Sequence, residues 1–173
     1  MELLAVNASH SISSTTHNLA AAAVELHGSG RVTDLATLDP AGLLGIGNDD
    51  TVQALLAEMA TAWALVLVTP IYRATYSGLL KVLFDQLPQA ALRDVPCVLA
   101  ATAASPAHYL AIDTGFRSLV ASLDGWTVPT VAYATPSDFD EAKRPGDAVR
   151  GRLDQALQEA ALLRSGGARS AES

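Results

Sequence analysis

Six of the eight residues from Ser9 to Thr16, SHSISSTT, carry hydroxyls. A run of this kind supplies hydrogen-bond donors without a fixed charge, and the chemistry such donors suit is anion recognition. A phosphate seated at the start of a helix would meet unpaired backbone N–H groups and a partial positive charge as well. The hydroxyls from Ser9 to Thr16 are the candidate donors to an anion. The same run could equally be a Ser/Thr-rich turn with one N-cap. Its position favours the anion reading, because an apolar strand (Glu2 to Val6) precedes it and a helix (about Thr15 to Leu26) follows. The second chemical stretch is TPIYRATYSGLLKVLFDQLP, Thr69 to Pro88. It follows the uncharged run Trp63 to Val68, which reads as a buried parallel strand. Pro70 ends the ladder, Thr69 to Thr75 form a loop at the strand's carboxyl end, and Ser77 opens a helix.

Other chemistries find little support. His10, His17 and His27 form no ligand spacing with carboxylates, so no metal site is expected. Cys97 is the only cysteine, which excludes an intrachain disulfide and a multi-cysteine metal site; it reads as a small buried side chain. Ser77 lacks the G-x-S-x-G elbow of a hydrolase nucleophile. A formal charge of -7, with eleven scattered Lys and Arg, leaves no basic footprint for nucleic acid. No cationic apolar leader precedes the first strand, so a cytoplasmic protein without a membrane partner is expected. The uncharged window Val95 to Ile112 is interrupted by Pro96 and Pro106 and reads as strand, turn and helix.

The elements that must position these loops follow in order. Gly28 and Gly30 stop the first helix, and Arg31 to Leu38 reads as a weak edge strand with interleaved polar residues. Pro40 to Asn48 reads as a surface loop. Asp49 or Asp50 caps a helix whose Val52, Leu55, Leu56 and Met59 share one buried face. Val95 to Ala101 is a fourth strand, Thr102 to Asp113 a loop running into a helix that continues to about Leu123, and Trp126 to Ala134 a last strand. Pro129 within that strand suits a sheet edge. A segment from Thr135 to Gly146 leads to a final helix, about Asp147 to Leu163, and Ser165 to Ser173 is expected to be a disordered tail. Alternating strands and helices predict an α/β domain over residues 1–164, with a five-stranded parallel sheet in the order 2-1-3-4-5. Its switch point lies between strands one and three, so one of their loops should hold a phosphate and the other should meet a ring.

The block TPIY, then YSGLLK, then FDQLP resembles the flavin-binding stretch of the NAD(P)H-dependent FMN reductases, and the resemblance runs from Leu4 to about Leu157. It implies a flavodoxin-like three-layer sandwich that binds FMN and uses NADPH or NADH. The activity implied is hydride transfer from nicotinamide C4 to flavin N5, supplying reduced flavin to a partner monooxygenase. Ser9, Ser14 and Thr16 match the family's phosphate hydroxyls, with Thr15 beside them. Pro70, Ile71, Tyr72 and Arg73 match the loop along the isoalloxazine, and Thr102, Ala103, Ala104 and His108 match the region after the fourth strand. Ring alignment, not a side-chain acid or base, is the expected catalytic device.

Tyr72 could otherwise simply cover a strand end. Arg73 could pair with the 2′-phosphate of NADPH or stay solvated, and His108 could face the flavin, meet another subunit or sit in a helix's first turn. Lys81 and Asp85 are expected to form a surface ion pair. Tyr76, Leu79, Leu80, Leu83 and Phe84 exceed what one sheet face requires, and the resemblance implies that the excess is buried in a homodimer or homotetramer.

The sequence departs from the family pattern in three places. Ala8, Ser11 and Thr15 stand where a glycine and arginines are usual in the phosphate loop. Ala103 and Ala104 replace a Gly-Gly pair, a change that would displace the ring if those glycines serve positive φ. Thr114 and Gly115 follow Asp113 in place of an aromatic residue or histidine. An enzyme with tightly bound FMN that reduces quinones or azo compounds remains a competing reading, as does a flavodoxin-like electron carrier or binding module.

Overall fold

The computed structural model describes residues 2–170, with side chains through residue 166. Strands β1 (Leu3–Asn7), β2 (Gly30–Asp34), β3 (Ala64–Pro70) and β4 (Pro96–Thr102) form the body of one sheet, completed by two short strands, β5 (Trp126–Thr127) and β6 (Ala132–Ala134). The order is β2-β1-β3-β4-β5, every pairing is parallel, and β6 also pairs with β4. This is the predicted 2-1-3-4-5 order.

The fifth position differs from expectation. The run Trp126 to Ala134 is not one strand: β5 pairs with Pro96 and Cys97, and β6 pairs with Ala100 to Thr102. Pro129 offers no N–H to a ladder, so the chain leaves the sheet there. The arginine side chain of Arg117 donates to the freed carbonyls of Val128 and Pro129, at 2.7 Å each. Glu159 accepts from the Thr130 amide at 2.8 Å and from its hydroxyl at 2.7 Å. The break is therefore hydrogen-bonded from both faces of the sheet.

The helices are α1 (Thr15–His27), α2 (Pro40–Leu43), α3 (Asp50–Thr61), α4 (Gly78–Phe84), α5 (Arg117–Ala121) and α6 (Asp147–Ser170). Side-chain caps explain four of the six helix starts: Ser14, Asp39, Asp49 and Ser77 each accept an amide of the first turn. Gly28 closes α1 in the left-handed conformation at φ 80°. The expected loop Pro40 to Asn48 thus contains a short helix. β2 ends at Asp34, short of Leu38, because a 3-10 turn takes Leu35–Thr37. The single helix expected after β4 is instead a 3-10 turn (Pro106–His108), a π-helical turn (Ile112–Phe116) and α5. α6 continues past Leu163 to Ser170, into the segment expected to be a tail, whose last three residues lie outside those described.

Strand alternation sorts the core onto two faces. Leu4, Val6, Leu65, Leu67, Cys97 and Leu99 face α3, α4 and the α5 region, among Val52, Leu55, Met59, Leu80, Leu83 and Phe116. Leu3, Ala5, Val66, Val68, Val98 and Ala100 face α1 and α6, where Ala20, Ala23, Ala156 and Ala160 are buried beside Leu19 and Leu153. The three central strands β1, β3 and β4 are buried along their whole length. Their carboxyl ends therefore stand on the rigid middle of the sheet.

Candidate functional site

The loops after β1, β3 and β4 meet at the carboxyl edge of the sheet. Ala8 donates its amide to the carbonyl of Val68 (2.8 Å), and its own carbonyl accepts from the Ser77 hydroxyl (2.7 Å). Ser77 in turn donates its amide to Thr69 Oγ1 at 2.9 Å. Ile71 donates to the carbonyl of Thr102 (2.7 Å), and the buried hydroxyls of Thr16 and Thr102 lie 2.7 Å apart. Three loops and two helix starts are thus tied together by short polar contacts.

The hydroxyl loop has its own internal order. The buried amide side chain of Asn7 accepts from the Ser9 amide (3.1 Å) and donates to Asp34 (2.6 Å), which also pairs with His17 at 2.8 Å. Ser9 Oγ accepts from the Ser11 amide (3.2 Å), and Ser14 caps α1 through the His17 amide. The amides of Thr15 and Thr16 open the helix, where no intrahelical acceptor precedes them. They are left for an outside acceptor.

After Pro70 the chain makes a tight turn: Tyr72 and Thr75 exchange both backbone hydrogen bonds, at 2.9 and 3.1 Å. Arg73 and Ala74 occupy its two central positions with φ of 51° and 62°. That is the conformation of a two-residue primed turn, normally filled by Asn and Gly. Two non-glycine residues in the left-handed region store strain beside the site. The π-helical turn packs behind it: Gly115 faces Thr75 and Tyr76, and the rings of Tyr76 and Phe116 are 6.1 Å apart.

The loop after β4 is held by the Ala103 amide donating to Ala134 (3.0 Å) and by the Tyr133 hydroxyl donating to the Ser105 carbonyl (2.5 Å). Neither Ala103 nor Ala104 has positive φ. No left-handed glycine is needed there, so the alanines cost the backbone nothing and only add methyl groups.

These loops enclose an open cleft of about 620 Å³, within the range of small-molecule and cofactor sites. Ser9, Ser14, Thr15, Thr16, Pro70, Ile71, Tyr72, Thr102, Ala103 and Ala104 all line it. Arg73 and His108 do not. Arg73 stands at the tip of its turn, and His108 is exposed on the 3-10 turn Pro106–His108. Ser11 and Ser13 join the lining, as expected of their loop. One wall was not foreseen: Ala134 at the end of β6, with Thr135, Pro136, Phe139, Asp140 and Lys143 from the segment between β6 and α6. Its only sequence signal was the Pro, Asp and Gly content of a turn.

That wall is a small hairpin. Phe139 and Pro145 form an antiparallel bridge, and the Lys143 amide donates to the Asp140 carbonyl (2.8 Å). The Asp140 carboxylate accepts from both the amide and the side chain of Arg144, at 2.8 Å each. The Arg144 amide, with the guanidinium beside it, holds the Asp140 carboxyl below its ordinary pKa. Asp140 is therefore an anion already engaged on its outer side. Among the described residues, no group of histidine, cysteine and carboxylate side chains could hold a metal ion, and no helix is long and apolar enough to cross a membrane. Lys81 and Asp85 form the expected ion pair on α4.

Known proteins resemble this chain in sequence and in shape. The family model for NADPH-dependent FMN reductase matches residues 1–140. An FMN reductase (NADPH) of Pseudomonas aeruginosa is 38% identical over 114 residues, 66% of this chain and 61% of the relative. An NADH-dependent FMN reductase, SfnF, of Pseudomonas fluorescens is 37% identical over 112 residues, 65% of this chain and 60% of the relative. The chain thus spans about 60% of the length of these relatives. The solved structure of an NADH:FMN oxidoreductase, EmoB, in its apo form superposes with a TM-score of 0.83 at 33% identity, covering 93% of this chain and 88% of the other.

Proposed function

Because the chain belongs to the NADPH-dependent FMN reductase family, we propose that its cleft binds FMN and aligns it with a reduced nicotinamide nucleotide. The observation that carries this reading is the meeting, in one cleft, of the hydroxyl-lined start of α1 with the apolar loop Pro70 to Tyr72. The residues fit the group. Ser9, Ser11 and Ser14, with the free amides of Thr15 and Thr16, would hold the phosphate. Pro70, Ile71 and Tyr72 on one side, and Thr102, Ala103 and Ala104 on the other, would flank the ring.

When bound, FMN supplies the N5 atom that accepts a hydride from nicotinamide C4. The chain's own part is positional. The fastened strand-end loops would hold the ring between them, and the open side of the cleft would admit the nucleotide. Tyr72, about half exposed at 48%, stands at that mouth. Among the described residues, the titratable side chains lining the cleft are Tyr72, Asp140 and Lys143, and Asp140 already faces Arg144. No acid or base is assigned.

In this reading the protein works in the cytoplasm, where reduced nicotinamide is generated, and passes reduced flavin to a flavin-dependent monooxygenase. It does so as a homodimer or homotetramer through the outward side of α4. Leu79 and Val82 remain only partly buried there, near the exposed Leu44. Arg73 and His108, outside the cleft, are left to nucleotide or subunit contacts.

The decisive measurement is NADPH and NADH oxidation by the purified protein with FMN titrated from none to excess, its flavin content recorded beforehand. Turnover that rises and saturates with added FMN supports the reading. Retained flavin whose turnover requires a quinone moves the assignment to a bound-cofactor reductase. Absence of flavin binding and of turnover with either nucleotide overturns it.

A further inference from the structure

The start of α1 offers only neutral donors to a phosphate dianion, and the chain as a whole carries a formal charge of -7. Neither His17 nor Arg73 supplies a charge there. His17 in the first turn is engaged by Asp34, and Arg73 stands at the tip of its turn outside the lining. Among the described residues that line the cleft, Lys143 is the one cation.

Its placement is built into the hairpin. The Asn18 side-chain amide, from the first turns of α1, donates to the Lys143 carbonyl at 2.9 Å. That bond draws residue 143 over the same helix start that Ser14 caps. Lys143 takes a left-handed conformation, φ 60°, while its amide returns to Asp140. The neighbouring carboxylate of Asp140 is occupied by Arg144, so it does not claim the lysine. Among the described residues, the Lys143 ammonium has no ion-pair partner.

We propose that Lys143 supplies the positive charge of the flavin phosphate site, reaching across from the β6–α6 hairpin to the start of α1. This rests on the reading of the cleft as an FMN site and adds to it a residue that sets preference for the phosphorylated flavin. A lysine suits this role as a compact point charge on a flexible stem, able to approach the dianion without a fixed fork. It is exposed, so its contribution is screened by salt.

The test compares dissociation constants for FMN and for riboflavin, read by flavin fluorescence, in the wild-type protein and in Lys143→Gln and Lys143→Arg, at low and high salt. The wild-type protein is expected to prefer FMN. In Lys143→Gln that preference falls by about tenfold, equivalent to about 1.4 kcal/mol, with riboflavin binding unchanged and a shallower salt dependence; Lys143→Arg restores it. If Lys143→Gln keeps the wild-type preference, the lysine is a solvated bystander and the proposal falls while the flavin site stands. A change confined to the NADPH KM, with FMN binding intact, also overturns it, by moving the charge to the nucleotide. A wild-type protein that binds both flavins equally, or neither, defeats the phosphate-site reading itself.

Discussion

At the scale of single residues, the site depends on side chains that never face the cleft. Asn7 is fully buried, and its one amide group serves both Ser9 and Asp34. It thereby sets where the hydroxyl loop leaves β1. Cys97 shows the opposite case, a reactive side chain made inert. Burial in the β4 core pushes its thiol up to about 12. Its neutral form therefore favours the folded state fully below the pKa of an unfolded thiol, and that contribution is lost as pH rises through about 12. At neutral pH, iodoacetamide should leave the folded protein unlabelled and react at one site only in denaturant. Equal labelling rates in the two states would contradict this burial.

Among the elements, the broken fifth strand is the most informative. A sequence reading sees an apolar run with one proline and extends the strand through it. Pro129 instead forces a detour, and the freed backbone groups are taken up by Arg117 below and Glu159 above. Burial acts to raise the Glu159 pKa, but the hydrogen bonds from Thr130 and Gln155 together with the charge of Arg117 outweigh it, and the carboxyl lies below its ordinary value. Its stabilising effect is thus present above the pKa of an unfolded glutamate and is lost as pH falls through the folded value. Glu159→Ala should cost about 1–3 kcal/mol, the penalty of leaving Thr130 unpaired, in urea unfolding at neutral pH. The difference from wild type should narrow as the pH is lowered. A variant as stable as wild type at neutral pH would show that the clamp is not stabilising.

Across the whole molecule, the proposed function asks an acidic chain to accept anionic nucleotides, which its long-range field would oppose. Local donors at the start of α1 and the lysine on the hairpin must offset that field. The outer side of α4 with Leu44 forms the apolar groove that the proposed assembly would cover. A charge there tests it: Val82→Glu should move the protein from an oligomer to a monomer in sedimentation velocity without unfolding it, because Val82 is only partly buried. A wild-type protein that already sediments as a monomer, or a variant whose coefficient is unchanged, would overturn an assembly through this face.

The amino-acid sequence alone determined the strand order, the two loops at the switch point, the cap Ser77, a cap at Asp49 or its neighbour Asp50, and ten of the twelve candidate residues that line the cleft. These are legible because they depend on local rules: apolar runs, hydroxyls before helices, proline at a strand's end. Arg73 and His108 are the two candidates that do not line the cleft, because sequence adjacency does not report direction: a two-residue turn and a 3-10 turn carry them outside it. The wall from Thr135 to Lys143 was invisible for the converse reason. Nothing in a polar connecting segment indicates which distant loop it will cover. Only tertiary structure, through the contact between Asn18 and Lys143 across 125 residues, brings that segment's cation to the start of α1.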